Sequence, residues 1–492
     1  MNNYQQAYTA LDRGDWQSAL KIAQPLLQKN PNNPDNLFLY AHCQLKRSGV
    51  ISAIPWLRSA TRHSGGARVW HVFGNCLATI GDNDNALDAL KRAHALAPDR
   101  VDILLDLANL HRQFEHYKNA EQCYVKALNI DPNDANAHLG MATLLHLQRE
   151  LDAAEPYYQR SLQLADTADA RWEYAMQCLL RGDLKNGFTH YDVRVDHFPA
   201  RASIHSFKLP RWMGESLTDK TILVHAEQGF GDQIMFASLL HEVIQQAKKV
   251  IIGVPQALAP LFRRSFAKAR IEVLEKPDSN NRVDEILTRH KKINLQTPIG
   301  SLPRWLRPTL ESFKNRNAYL FADKERSAFF ARLLNQRTSG EKIHTIGLVW
   351  QGNLQSGLMG KRKSLTLQQL APLTTVANCR FISLQLKDCD AEINHTAGIS
   401  VTSLSEHLNN FDDTAALIEN LDLIISVDTG VAHLAAALGK PVWTLLWHAA
   451  DWRYLHQAEQ CYWYENMRLF RQTQPGKWHT VVSDVCRELQ KQ

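Results

Sequence analysis

The sequence predicts two fold classes in one chain, an all-helical array followed by two doubly wound α/β halves. Similar helical segments recur at constant spacing in the first part, and short apolar strands alternate with helices in the second. The chain has 492 residues, which is too long for one hydrophobic core. The predicted boundaries are 1–194 for the array, 195–220 for a linker, 221–339 for the first half and 340–492 for the second.

Composition and charge are typical of a soluble globular protein. Hydrophobic residues make up 45% of the chain, charged residues make up 22%, and the net charge is only +6, which does not suggest nucleic-acid binding. The eight cysteines include no C-x-x-C pair, and no segment approaches the ~18 apolar residues of a membrane span. The first residues do not resemble a leader peptide. We therefore expect a cytoplasmic protein without a membrane span.

Small residues recur about every 34 residues in the first part of the chain, the spacing of a helix, turn, helix unit. Their positions are Ala19, Ala53, Ala86, Ala120, Ala154 and Gly187. A small residue lets two helices approach closely, and prolines end the units at Pro31, Pro98 and Pro132. The pattern predicts five helix pairs and a closing half repeat over residues 168–194.

In these features the first part of the chain resembles the tetratricopeptide repeat family. The resemblance implies a superhelix whose concave surface binds an extended peptide or a partner protein. A structural spacer or an oligomerisation surface is the alternative, and the second of these would make a homo-oligomer. Residues 195–220 follow without any period and contain two prolines, which favours a linker.

Strands and helices alternate in the second part of the chain, as in a parallel sheet wound with helices. The first half begins with the apolar strand 221–226, and the second half begins with the strand 345–350. The last segment, 478–492, is predicted to be a helix that crosses back over the first half. Ligands of such two-half proteins bind at the carboxyl ends of the strands.

The first motif, EQGFGDQ, directly follows the opening strand of the first half. Gly229 and Gly231 allow close approach to the backbone, and Asp232 falls at or near a helix N-terminus. An aspartate at this place is also a good helix cap. The motif alone therefore leaves a catalytic and a capping role open.

The second motif, SVDTGVAH, lies between a buried strand and a helix. Asp428, Thr429 and Gly430 form the turn, and His433 follows within the first part of the helix. The N–H groups and positive dipole end of a helix N-terminus predict a diphosphate site here. The alternatives are a turn whose Asp or Thr only caps the helix, and a histidine satisfied in the core.

A basic loop, GKRKS, follows the first strand of the second half and contains Lys361, Arg362 and Lys363. Such a run is usually only solvated, but three cations beside a predicted phosphate site favour a binding role. These motifs stand among longer blocks that occur in order, namely EQGFGD, GLVWQGN, KSLTLQQLAPL, ISLQ, DDTAALIENLDLIISVDTGVAHLAAALGKPVW, DWRY and MRLFRQ.

In these blocks residues 219–489 resemble the heptosyltransferase-like bacterial glycosyltransferases of the GT-B fold, in particular the branch fused to tetratricopeptide repeats. The resemblance implies that Asp232 is the general base for the acceptor hydroxyl and that Lys363 neutralises the leaving diphosphate. The resemblance and the motifs together place the donor against Gly229, Gly231, Lys363, Gln385, Asp428, Thr429, Gly430 and His433.

Together these inferences predict a metal-independent, inverting glycosyltransferase that uses a nucleotide-sugar donor and no cofactor. ADP-heptose is the donor that the resemblance suggests. A protein or peptide bound by the array is favoured as acceptor over lipopolysaccharide. Two alternatives belong to other classes: a non-catalytic scaffold that senses a nucleotide sugar, and a hydrolase or epimerase that acts on a nucleotide sugar alone.

Overall fold

In the computed structural model the described residues are 3–63, 65–275, 281–314, 318–335, 343–354, 357–385 and 389–491. The chain divides into two compact units, Met1–Ala170 and Arg171–Gln492. This division falls inside the segment predicted as the closing half repeat. The predicted boundary between residues 339 and 340 lies outside the described residues. The four predicted ranges of the domains and the linker stay predictions.

The first unit consists of helices that pack in consecutive pairs. The pairs are α1 (Asn3–Asp12) with α2 (Trp16–Lys29), α3 (Pro34–Ser48) with α4 (Val50–Arg62), α5 (Ala67–Thr79) with α6 (Asn83–Leu96), α7 (Val101–Gln113) with α8 (Tyr117–Ile130), and α9 (Ala135–Gln148) with α10 (Leu151–Leu164). Within the described residues, these pairs correspond to the five predicted repeats.

The recurring small residues lie where the helices of the array approach one another. The repeat-register alanines are all fully buried: Ala19, Ala53, Ala86, Ala120 and Ala154. Helices α8 and α9 also approach closely at Gly140 of α9, where an added Cβ would lie 2.2 Å from Cε1 of Tyr124 in α8. Prolines fall between helices at Pro31, Pro98 and Pro132. The predicted tetratricopeptide architecture is thus confirmed.

The second unit contains α11 (Ala168–Arg181) from Arg171 onward, then α12 (Leu184–Tyr191) and α13 (Val193–His197). Gly187 of α12 packs on α11, since an added Cβ would lie 2.5 Å from Cδ2 of Leu179. This close approach is what the repeat pattern predicts for a closing helix pair.

A parallel sheet with the strand order β3-β2-β1-β4 forms the first half. Its strands are β1 (Thr221–His225), β2 (Lys249–Val254), β3 (Arg270–Val273) and β4 (Leu295–Pro298). The helices that follow in chain order are α14 (Phe230–Ala237), α15 (Leu240–Gln246), α16 (Ala259–Ser265), α17 (Asn281–Arg289), α18 (Leu302–Leu306) and α19 (Lys324–Asn335).

A second parallel sheet, with the strand order β10-β9-β8-β5-β6-β7, forms the second half. Its strands are β5 (His344–Val349), β6 (Cys379–Ser383), β7 (Val401–Thr402), β8 (Leu423–Val427), β9 (Val442–Leu446) and β10 (Met467–Arg471). Its helices are α20 (Leu358–Arg362), α21 (Asp390–His395), α22 (Phe411–Ile418), α23 (Gly430–Ala437) and α24 (Trp478–Leu489).

The two halves meet through α14, which packs on α23. The guanidinium of Arg264 donates to both carboxylate oxygens of Asp412 at 2.8 and 2.9 Å, which adds a bidentate link between the halves. Helix α24 packs on β10 and on the 3-10 segment Leu367–Thr375 of its own half, and its crossing over the first half stays a prediction.

The predicted fold class, a tetratricopeptide-type helical array followed by an α/β part with two parallel sheets, is confirmed. No helix formed by the described residues is both long enough and apolar enough to cross a membrane.

Candidate functional site

The two predicted turns meet, although about two hundred residues separate them in the chain. Helix α14 begins after β1 and helix α23 begins after β8, and their first turns touch at Gly231 and Gly430. A Cβ added to Gly231 would lie 3.1 Å from Cδ2 of His433 and 3.3 Å from Cα of Gly430. A side chain at Gly231 would therefore push the two helix N-termini apart, whereas a Cβ at Gly430 would only touch the backbone N of Gly231, at 3.4 Å.

Asp232 caps its helix and also contacts the second half. Its Oδ2 accepts a hydrogen bond from the backbone N–H of Gly229 at 3.1 Å, which caps α14. Its Oδ1 is ion-paired with the guanidinium of Arg453 from the second half. The side chain keeps 19% of its surface exposed, so solvent can reach it.

Asp428, in the second turn, accepts hydrogen bonds from two side chains. Nζ of Lys363 donates to its Oδ2 at 2.6 Å, and the hydroxyl of Tyr454 donates to its Oδ1 at 2.6 Å. Burial opposes the charged form, but Lys363 and His433 nevertheless hold the pKa of Asp428 well below its usual range. Burial likewise opposes the charge on Lys363, whose pKa Asp428 and Asp451 raise. Asp428 therefore positions a cation, since a carboxylate does not attract a diphosphate directly.

Thr429 is the N-cap residue of α23. Its Oγ1 accepts a hydrogen bond from the backbone N–H of Ala432 at 3.5 Å and lies 3.0 Å from Oγ of Ser426. The capping alternative therefore describes Thr429 correctly. Capping leaves the dipole end of α23 facing the first turn of α14.

His433 is a buried imidazole beneath the two turns. Its Nδ1 lies 3.2 Å from the hydroxyl of Tyr464, and its Nε2 lies 3.4 Å from the hydroxyl of Tyr454. Burial lowers the pKa of His433, although Asp428 opposes this shift. His433 is thus a core histidine with hydrogen-bond partners, as the alternative interpretation expects, and it also lies next to Gly231.

Gln385 supports the loop that leads to the basic residues. Its Oε1 accepts a hydrogen bond from the backbone N–H of Gln351 at 3.1 Å, and its Nε2 donates to the carbonyl of the same residue at 3.1 Å. Lys361 and Arg362, predicted to lie in a basic loop, instead form the last turn of α20. Lys361 is exposed, and the guanidinium of Arg362 lies 5.7 Å from the ring centre of Trp447. Of the three consecutive cations, Lys363 is the one bonded to Asp428.

Arg453 was not predicted from the sequence. Besides Asp232 it pairs with Asp451, and its guanidinium lies 4.5 Å from the ring centre of Trp452. Burial opposes its charge, but the two aspartates raise its pKa well above the ordinary value. The DWRY block contains these residues, but nothing in its spacing indicates a partner in the first half. We call Asp232, Lys363, Asp428, Asp451 and Arg453 the charged cluster.

Arg194 of α13 was likewise missed, because it lies at the predicted end of the array. Its Nε and Nη2 donate to the carboxylate of Glu227 at 2.8 and 2.6 Å, and the backbone N–H of Gly300 donates to the same carboxylate at 2.8 Å. Nearby, Nε2 of Gln228 donates to the hydroxyl of Tyr191 at 2.5 Å. Residues before the linker thus hold the turn that carries Asp232.

The charged cluster supplies a carboxylate for proton transfer and two cations for an anionic leaving group. Among the described residues, no group of three or more His, Cys, Asp or Glu side chains is arranged to hold a metal ion, and metal independence stays a prediction. A cavity of about 410 Å³ lies elsewhere, beside β3, where Arg270 and Arg289 already pair with Glu272.

Family comparisons identify two parts of the chain. The profile of glycosyltransferase family 9 (heptosyltransferase) matches residues 393–452, a segment that contains the Asp428 turn and ends one residue before Arg453. Tetratricopeptide repeat profiles match residues 72–135 and 105–169. The profile of anaphase-promoting complex, cyclosome, subunit 3 matches residues 12–93.

The chain is also similar to individual proteins. It is 27% identical over 437 residues to Protein FlbA of Caulobacter vibrioides, a match that covers 86% of this chain and 67% of that protein. The crystal structure of MamA is 21% identical with a TM-score of 0.30, and the match covers 32% of this chain and 94% of that chain. Pseudomonas aeruginosa pilF is 22% identical with a TM-score of 0.36, and the match covers 40% of this chain and 90% of that chain.

The family matches confirm the resemblance to a tetratricopeptide repeat protein fused to a heptosyltransferase-like enzyme. They support a glycosyltransferase of the heptosyltransferase family that carries a protein-interaction array. The individual roles of the site residues stay predictions.

Proposed function

We propose that the chain transfers a sugar from a nucleotide-diphosphate donor to a protein acceptor presented by the repeat array. The observation that carries this proposal is the meeting of the Asp232 turn with the Asp428 turn at Gly231 and Gly430, inside one charged cluster. The Asp428 turn lies in the segment that matches a glycosyltransferase family.

In the proposed reaction the acceptor hydroxyl attacks the anomeric carbon of the sugar, and Asp232 takes the hydroxyl proton. The bond between that carbon and the diphosphate oxygen breaks, and the electron pair leaves with the diphosphate. Lys363, Arg453 and the N-terminus of α23 stabilise the charge that develops there. Attack from the face opposite the leaving group inverts the anomeric configuration.

A protein acceptor is favoured by the repeats, because arrays of this kind bind extended peptides or partner proteins. ADP-heptose is the first donor to test, since the matched family is that of the heptosyltransferases. UDP-, GDP- and CDP-sugars complete the panel, because the cations of the cluster recognise phosphate and not a particular base.

The proposal is tested by co-expressing the chain with candidate acceptor proteins and measuring the intact mass of each one. A mass increase of one sugar residue that depends on the chain and disappears in Asp232→Asn is the expected result. Asp484→Asn, on the exposed face of α24, is the matched control and keeps transfer. Release of free nucleotide from the donor without an acceptor would indicate a hydrolase, and nucleotide binding without turnover would indicate a scaffold.

A further inference from the structure

Arg453 links the carboxylate that the first α/β half contributes to the charged cluster with a carboxylate of the second half. One guanidinium nitrogen faces Asp451 in its own turn, and another faces Asp232 in the first half. Its side chain retains only 12% exposure and packs over Trp452. The position of the guanidinium is therefore fixed by Trp452 and Asp451, whether or not Asp232 remains bound to it.

A diphosphate entering this cluster finds both cations already paired. The cluster has three carboxylates and two cations, so it is negative by one charge before any ligand binds. An anion of two or three charges competes with these carboxylates for the two cations. The pair that is held by fewer other contacts is the one that we expect to exchange its partner.

The geometry indicates which pair exchanges. The two pairs are about equally exposed, but the hydroxyl of Tyr454 also donates to Asp428 and reinforces the Lys363–Asp428 pair. Asp232 also keeps the backbone N–H of Gly229 as a partner after Arg453 leaves. Arg453, in turn, keeps Asp451. The Arg453–Asp232 pair therefore opens at the smaller loss of hydrogen bonds.

We propose that Arg453 exchanges Asp232 for a phosphate oxygen of the donor, so that donor binding releases the catalytic carboxylate. The proposal rests on the proposed function and adds an order of events, in which the donor binds before Asp232 can accept a proton. Before the exchange, Oδ1 of Asp232 is occupied by the guanidinium and is a poor acceptor for a hydroxyl proton. After the exchange, Oδ1 receives the proton of the acceptor hydroxyl, and Arg453 stabilises the departing diphosphate.

In this exchange Asp232 and the diphosphate compete for Arg453. Removing the charge of Asp232 should therefore strengthen nucleotide binding. In Asp232→Asn the cap on Gly229 is kept but the competing charge is removed, so we expect ADP, UDP, GDP or CDP to bind about five- to tenfold more tightly than to the wild type. In Arg453→Gln the same nucleotide should bind at least about tenfold more weakly. Asp484→Asn is the matched control and leaves the affinity unchanged.

Isothermal titration calorimetry of the full chain with these nucleoside diphosphates measures all four affinities. Tighter binding to Asp232→Asn supports the exchange. Equal or weaker binding to Asp232→Asn, when the wild type binds, overturns the exchange and leaves the proposed function standing. Absence of binding to the wild type and to every variant overturns the proposed function as well. The Asp232→Asn arm tests the exchange even if Arg453→Gln does not fold, because Arg453 keeps Asp451.

Discussion

Replacing Arg194 with methionine tests the link between the helices before the linker and the turn that carries Asp232. Arg194 and Glu227 have no exposed side-chain surface, and Arg194 supplies two hydrogen bonds to that carboxylate. Removing one partner of a buried ion pair costs about 3–5 kcal/mol, because Glu227 then stays charged and buried without a cation and keeps only hydrogen bonds such as that from Gly300. For a compact unit of this size, that loss lowers the melting temperature by about 5 °C or more.

Differential scanning calorimetry of the full chain measures this change. Arg487→Met removes an exposed pair on α24 and is the matched control, with an expected effect within about 0.5 kcal/mol. Arg194→Met combined with Glu227→Met removes both charges of this pair while Asp192 keeps Arg304, so the double variant should recover part of the lost stability. If Arg194→Met is no more destabilising than Arg487→Met, then the buried pair does not hold the turn, and the reasoning is refuted.

Two further predictions concern packing and pH. Gly140→Ala should lower the free energy of unfolding of the array by about 2 kcal/mol through overpacking against Tyr124, whereas Gly66→Ala, whose Cβ would meet nothing within 4 Å, should cost less than about 1 kcal/mol; equal losses in urea unfolding would contradict this. Burial lowers the pKa of His225 to about 3, so the stability that its neutral ring contributes is complete above about pH 6.5, the unfolded value, and is lost as the pH falls toward 3. His225→Gln should flatten the stability curve in that window, and an unchanged slope would count against the assignment.

Local patterns in the sequence were enough to predict much of the fold. The buried alanines of the array could be predicted because two packed helices need a small residue where they approach closely. The same requirement recurs in every repeat, so the alanines appear at a regular spacing. Strands such as β8 are apolar on both faces, so their own composition identifies them. We did not predict β7 or β10 from the sequence, because β7 has only two residues and β10 contains two arginines among its apolar residues.

The candidate site was predicted only in part, for a related reason. Asp232, Asp428 and Lys363 lie in recognisable turns, whereas Arg453 and Arg194 are defined by partners far away in the chain. A single arginine gives no local sign that its guanidinium reaches a carboxylate in another half. The sequence also leaves open whether Asp232 caps a helix or faces the site, and its two oxygens do both.

The most direct test of the account is the thermal stabilisation of the full chain by ADP, UDP, GDP, CDP and the corresponding nucleotide sugars, compared between the wild type, Lys363→Met and Lys361→Met. A nucleotide present at a hundred times its dissociation constant should add about 2.7 kcal/mol of stability. We expect at least one nucleotide to raise the melting temperature of the wild type and of Lys361→Met, since Lys361 is exposed, but not that of Lys363→Met. Stabilisation of all three proteins to the same extent, or of none, would contradict a diphosphate site built on Lys363 and Asp428.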